Sequence, residues 1–248
     1  ADKGVLEKGQ THYLADYDGT QEEGGKGENF KDHLFEIPTL EEVFQSFNEK
    51  DIQNYLDWER RALEPGLVLT PIGLSIRKLS EKIGNTYVYT GIQDHTLIYD
   101  PERLDASDPE KLITIGGKRK SQLIKENKGW IIVLSPLKAE LEEIDTTGKA
   151  LPETVKTNAE KTVHWQEELQ NEGLCGHNFE TYLAAQASAE KPLEKNTFTT
   201  LPSVSIPETS LVSYGRFRVD YVYLGCNLAG DSRDIVRCRP AVRGKRKP

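Results

Sequence analysis

Methionine is absent from all 248 residues, cysteine occurs three times, and the longest apolar run is Trp130–Leu134. The last two of these shortages exclude something. A membrane helix needs about 20 mostly apolar residues, so no span and no membrane partner is expected. Three cysteines are an odd count, which argues against a disulfide framework and for a reducing compartment. Cytoplasm, or a particle within it, is therefore the expected setting. The opening Ala1-Asp2-Lys3-Gly4 lacks the apolar stretch of a secretory signal. No P-loop, dinucleotide fingerprint or internal repeat is found.

What is present is an uneven charge. The formal net charge is −8, yet Arg216–Pro248 carries nine Lys/Arg against three Asp/Glu. The 215 residues before it therefore sum to −14. A cationic segment on an acidic body steers and orients macromolecular partners without specifying a reaction. With 36% hydrophobic residues and a mean hydropathy of −0.60, the chain has room for long loops beside a core.

Three regions are expected. Residues 1–38 are Gly- and charge-rich and read as an arm or long loop. Residues 39–238 form a body, with a division point near 145–152, and 239–248 form a basic tail. Within the body, Thr39 and Glu42 make a capping box. The apolar spacing of Leu40, Val43, Phe44, Phe47, Ile52, Tyr55 and Leu56 then predicts one helix to about Leu63. Thr70-Pro71 predicts the start of a second helix, ended by Gly84. Thr86–Ile92 and Thr96–Tyr99 read as a hairpin, and Lys111–Ile115 and Trp130–Leu134 as strands. Pro136–Ile144 reads as a short helix, and 153–190 as two helices split at Gly173 and Gly176. Leu211–Leu224 gives the longest strand signal. A turn at 229–233 then returns the chain through Ile235–Cys238, where Pro240 ends the pairing. This mixture without regular alternation predicts an α+β fold: a largely antiparallel mixed sheet, several amphipathic helices, an N-terminal arm and a basic C-terminal tail. Phe44, Phe47, Tyr55, Leu56, Trp130, Ile132 and Leu134 are the expected core.

Asp16-Tyr17-Asp18-Gly19-Thr20 resembles motif I of the haloacid-dehalogenase phosphatases, Asp-x-Asp-Gly-Thr. The resemblance implies Asp16 as nucleophile, Asp18 as acid/base and Mg²⁺ as cofactor, with Asp231 and Asp234 as metal ligands. The setting departs from that family. Only Tyr13, Leu14 and Ala15 precede the motif where a buried strand belongs, and Asp231 and Asp234 are spaced as in a turn. Without that resemblance no cofactor is expected.

Cys175 and His177, with His164, Cys226 and Cys238, are residue types that bind zinc, and Cys175 with either histidine is also a nucleophile pair. Cys226 and Cys238 are symmetric about Ser232, so a hairpin there would bring them face to face. The loop Gly116-Gly117-Lys118-Arg119-Lys120 is similar to the basic glycine loops with which CRISPR repeat-associated RNA-binding subunits grip RNA backbones. Its amides and its three cations suit phosphate. Gly244-Lys245-Arg246-Lys247 echoes it. Arg216 and Arg218 are expected on one face of a strand, and Phe217, Val219, Tyr221 and Tyr223 largely on the other apart from a bulge at Gly215. Backbone-plus-stacking recognition of single strands uses such a basic-aromatic combination. With Arg233, Arg237, Arg239 and Arg243 these two arginines complete the basic segment.

The favoured expectation is a non-enzymatic assembly or binding subunit of a larger complex. It would contact protein subunits, a second copy of itself or a nucleic-acid backbone through 117–120 and 233–247. The alternatives are an Mg²⁺-dependent phosphohydrolase and an RNA- or single-strand-binding subunit.

Overall fold

In this computed structural model the described residues are 38–71, 89–90, 130–142, 149–201, 211–218 and 221–245. They begin with α1 (Leu40–Gln45), α2 (Glu49–Arg60), β1 (Pro65–Pro71), β2 (Tyr89–Thr90) and β3 (Trp130–Pro136). Then come α3 (Asn158–Asn171), β4 (Cys175–Gly176), α4 (Phe179–Ser188) and β5 (Phe198–Thr200). The chain closes with β6 (Leu211–Arg218), β7 (Tyr221–Leu228), β8 (Val236–Cys238) and β9 (Pro240–Arg243). The class is α+β, as the mixed texture of the sequence implies.

Two sheets organise these elements. The first has the order β1-β3-β9-β4 and is antiparallel throughout. The second has the order β2-β7-β6-β5-β8, in which β2 and β8 join their neighbours in parallel. Trp130–Val133 is buried without alternation because β3 lies between β1 and β9 and is covered on both faces. Helix α4 is buried on every side from Thr181 to Gln186 and packs on both β1 and β7. An all-round buried helix is what its Tyr182-Leu183-Ala184-Ala185 run requires. Glycine at 215 makes the close approach to β6 work, because a Cβ there would collide with the Tyr182 ring.

Several sequence expectations are corrected. The single helix to Leu63 is two helices: Asn48 accepts from the Asp51 amide, Asp51 returns to the Asn48 amide, and this second capping box restarts the helix. The break re-aims the apolar faces. Val43 and Trp58 are buried, Phe47, Tyr55 and Leu134 half-buried, and Phe44 and Leu56 are exposed at 46% and 37%. Thr70 and Pro71 do not start a helix but end β1, paired with Ile131 and Trp130. The rest of that helix lies outside the described residues. So do most of the 86–99 hairpin and the whole strand 111–115; of the hairpin, Tyr89–Thr90 pairs in parallel with β7.

Residues 137–142 are not helical. The Leu137 and Lys138 amides donate to the Glu64 and Leu63 carbonyls, so their backbone is committed to tertiary bonds. The long strand 211–224 is a hairpin of β6 and β7, with Arg218 opposite Tyr221. Strand β8 does not return along β7 but pairs with β5. Cys226 and Cys238 therefore sit three strand spacings apart, roughly 14 Å, far beyond disulfide reach. Nor does Pro240 end the pairing. It opens β9 in the other sheet, so the expected tail supplies a core strand with Ala241 and Val242 buried.

Candidate functional site

Strand alternation places Tyr214, Arg216 and Arg218 of β6 on one face, and antiparallel register puts Tyr223 of β7 directly opposite Arg216. Phe198 of the adjacent β5 joins them. Its amide donates to the Ile235 carbonyl at 2.8 Å, which fixes the start of that strand. The fourth side is the turn after β7, held by the first turn of α3. The Asn158 and Ala159 amides donate to the Asp231 and Ala229 carbonyls, and buried Lys161 Nζ donates to the Arg233 carbonyl. These contacts deliver Arg233 to the same face.

The result is an open cleft of about 380 Å³ lined by Phe198, Tyr214, Arg216, Arg218, Tyr223 and Arg233. The rings form a chain. Phe198 meets Tyr214 edge-on at 4.7 Å, and Tyr214 stacks on Tyr223 at 5.7 Å with 30° between planes. Gly225, also on this face, leaves space for the Tyr223 ring, since a Cβ would lie 2.7 Å from its Cε1. The Arg216 guanidinium sits 4.5 Å over Phe198 and that of Arg233 5.7 Å over the same ring. Arg216 Nη2 donates to the Lys195 carbonyl, while its Nε is buried with no hydrogen-bond partner. Arg233 has Asp231 at 3.8 Å, both side chains 42% exposed, a pair of little energetic weight. Among the described residues no carboxylate lines the cleft. Chemically it offers guanidinium donors around an aromatic platform, and no nucleophile.

A second polar cluster lies between the sheets and is closed to solvent. Arg239, fully buried, donates from Nε and Nη2 to Glu194 Oε1, from Nη1 to the Pro136 carbonyl and from Nη2 to the Lys138 carbonyl. Tyr182 Oη donates to the other Glu194 oxygen. Beside it, His177 Nε2 is 2.8 Å from Ser135 Oγ and Nδ1 is 3.1 Å from Thr181 Oγ1. Burial first, then the positive field of Arg239, holds the imidazole neutral with a pKa of about 3. Ser135 is 0% exposed, so this nucleophile-like geometry meets no substrate.

The expected site residues separate accordingly. Arg216 and Arg218 line the cleft together, and Arg233 from the basic run joins them. Arg237 is half-buried on β8, donating to the Asp234 and Val236 carbonyls. Arg239 is no surface contact but the interior ion pair. Arg243 is half-buried at the end of β9, and Lys245 is exposed. Asp16, Asp18, Lys118, Arg119, Lys120, Arg246 and Lys247 lie outside the described residues. Asp231 and Asp234 sit in the turn beside α3, with their carbonyls bonded to the Asn158 amide and Arg237.

Cys175 and His177 do not pair as nucleophile and base. The thiol donates to the Ala241 carbonyl and is pushed up to about 11 by burial, while the imidazole is committed to Ser135 and Thr181. Burial likewise pushes the Cys238 thiol up to about 12. Among the described residues no three His, Cys, Asp or Glu side chains are grouped to hold a metal, and no helix is long and apolar enough to cross a membrane.

Strand alternation alone did not mark Phe198, which enters through β5 pairing with β6. It also put Tyr223 on the face away from the arginines, whereas the β6–β7 hairpin sets that residue directly across from Arg216. No family model, curated protein or solved structure matches the chain.

Proposed function

We propose that the chain is a non-enzymatic binding subunit of a larger complex, engaging an anionic partner through the cleft of Arg216, Arg218 and Arg233. The convergence of three guanidiniums from two separate segments on an aromatic floor, with no carboxylate among the described lining residues, carries this reading. On a body that is net acidic, such a patch concentrates an attractive field at one place and leaves the remaining surface repulsive to the same partner. Arginine suits the role, because its planar fork binds carboxylate or phosphate with two parallel hydrogen bonds. A reducing, cytoplasmic setting belongs to the same reading and is supported by Cys175 and Cys238, neither of which is in a disulfide. The phosphohydrolase alternative gains no support from the acidic turn, where backbone bonds and the Arg233 neighbour account for Asp231 and Asp234.

Gel filtration with light scattering and a 260/280 nm ratio tests the proposal on untagged protein isolated from its own cells. The expected result is a particle heavier than one 28.0 kDa chain, which R216E/R218E/R233E reduces to the monomer without changing the melting temperature. Elution as a free monomer in both cases would overturn it.

A further inference from the structure

We infer that the cleft seats one nucleotide of a single-stranded nucleic acid, with the phosphates held by Arg216, Arg218 and Arg233 and the base stacked on Tyr223. The inference rests on the proposed binding role of this cleft and names its ligand.

Of the three rings that line the cleft, Phe198 and Tyr214 are 5% and 7% exposed. They form the support, while half-buried Tyr223 presents the accessible ring. It is backed by the stack on Tyr214 and seated over the bare Gly225 backbone. A platform fixed in this way is ready to accept a base face, and base–aromatic stacking tolerates any sequence because every base has one. Arg216 stands directly across the hairpin from Tyr223. Its guanidinium carbon sits 4.5 Å over the Phe198 ring, and arginine guanidiniums also serve as stacking partners for bases. The Arg216 Nε is a buried donor lacking an acceptor, and a phosphate oxygen in the cleft supplies one. Arg218 and Arg233 flank it on β6 and on the turn, spacing positive charge along the path that a backbone would take.

Size and shape choose the form of the nucleic acid. A volume of about 380 Å³ falls at the small end of ligand clefts, roughly 300–1,000 Å³. It matches a nucleotide-sized group. A duplex keeps its bases stacked inside and is read by an element that projects into a groove, and among the described residues this concave face offers no projection. An acidic protein segment would use the arginines but leave the prepared stacking platform without a role.

The test is fluorescence anisotropy of the full chain with a labelled short single-stranded RNA, its DNA counterpart, the same sequence as a duplex, and a glutamate-rich peptide, each across a salt series. Free nucleoside monophosphate competes in a further arm. Single strands are expected to bind tighter than duplex, with log K falling against log salt at about −0.7 per neutralised phosphate. Each of R216Q, R218Q and R233Q lowers affinity and flattens that slope by about 0.7. Y223A weakens binding roughly five- to 100-fold with the slope unchanged, and Y223W restores it. R60Q, on α2 in an exposed pair with Asp57, changes nothing. Melting curves on every variant separate lost binding from lost folding.

Duplex binding as tight as single strand, or Y223A binding like wild type, overturns the inference. Monophosphate matching the strand overturns the strand assignment. Peptide binding that needs the three arginines while nucleic acid fails to bind overturns the nucleotide and keeps the binding role. If the light-scattering experiment also returns a free monomer, both fall together.

Discussion

At the scale of single residues, the interior ion pair is the least expected feature of the molecule. Arg239 stands in a run of surface-type cations, yet all its bonded donors find acceptors inside the protein. Its partner Glu194 adopts φ 51°, a left-handed conformation that a non-glycine residue holds only under constraint. The Glu194 amide donates to the Ala139 carbonyl and its own carbonyl accepts from Phe217, so the surroundings fix that backbone from both sides. Truncating one member of such a pair strands the other charge. Arg239→Met is therefore expected to cost about 3–5 kcal/mol in chemical denaturation. Pairing it with Glu194→Leu should recover part of that loss, and additive losses would show that the two charges are not coupled.

His177 gives a pH-dependent counterpart. Its folded pKa of about 3 lies below the ordinary 6.5, so folding favours the neutral ring. That contribution is fully present above pH 6.5 and is lost progressively as pH falls toward 3, at up to about 1.4 kcal/mol per pH unit. His177→Gln keeps polar groups near Ser135 and Thr181 but cannot take the charge. Its stability should decline less steeply over this window, and parallel declines would remove His177 as the cause.

At the scale of elements, the sequence was legible where local chemistry decides. Thr39 with Glu42 does form a capping box, and Trp130–Leu134 is a strand, buried on both faces from Trp130 to Val133. The division of 153–190 into two helices follows Gly173, whose φ is +74°. Where long-range pairing decides, it was not. Apolar residues alternate from Phe217 through Val219 and Tyr221 to Tyr223, so nothing in the side-chain pattern marks the reversal between Arg218 and Tyr221. Thr70-Pro71 has the chemistry of a helix start, but Leu67, Val68 and Leu69 pair with β3 and carry both residues into the strand. The same division holds for the cleft. Arg216 and Arg218 were visible as a two-residue period, whereas Phe198 and Arg233 arrive through a distant strand and a turn bound to α3.

Glycine positions carry more of the inter-element packing than composition suggests. Gly215→Val should drive the Tyr182 ring away from β6 and cost about 1–3 kcal/mol by thermal or urea denaturation. Replacing Tyr182 with leucine in that background vacates the space and should return part of the loss. A double variant no better than the sum of the singles would show that the ring is not what Gly215 accommodates.

At the scale of the whole molecule, the cationic C-terminal segment performs two separate tasks. Its first half closes the cleft through Arg233, and its second half crosses at Arg239 from one sheet to the other. Strand β9 then occupies the interior of the first sheet, between β3 and β4. Deleting residues from Arg243 onward removes more than four loose cations. The Gly244 amide donates to the Ile132 carbonyl, the Lys245 amide donates to the Ser46 carbonyl, and Gly244 itself is buried. A chain ending at Arg239 loses more still. The β3 edge is left unpaired, Ala241 and Val242 leave the core, and Ser135 and Cys175 lose the Pro240 and Ala241 carbonyls. The half-buried Cys175 thiol loses its acceptor and the Ser135 hydroxyl keeps only its His177 and Pro136 partners, which adds to the lost apolar contact. The expected outcome is a protein without a cooperative melt in circular dichroism, while a chain ending at Lys245 keeps every described contact and melts like the full chain. A truncation at Arg239 that melts within about 2 °C of the full chain would mean that β9 contributes nothing to stability. The basic segment would then be a surface appendage, as its charge alone suggests.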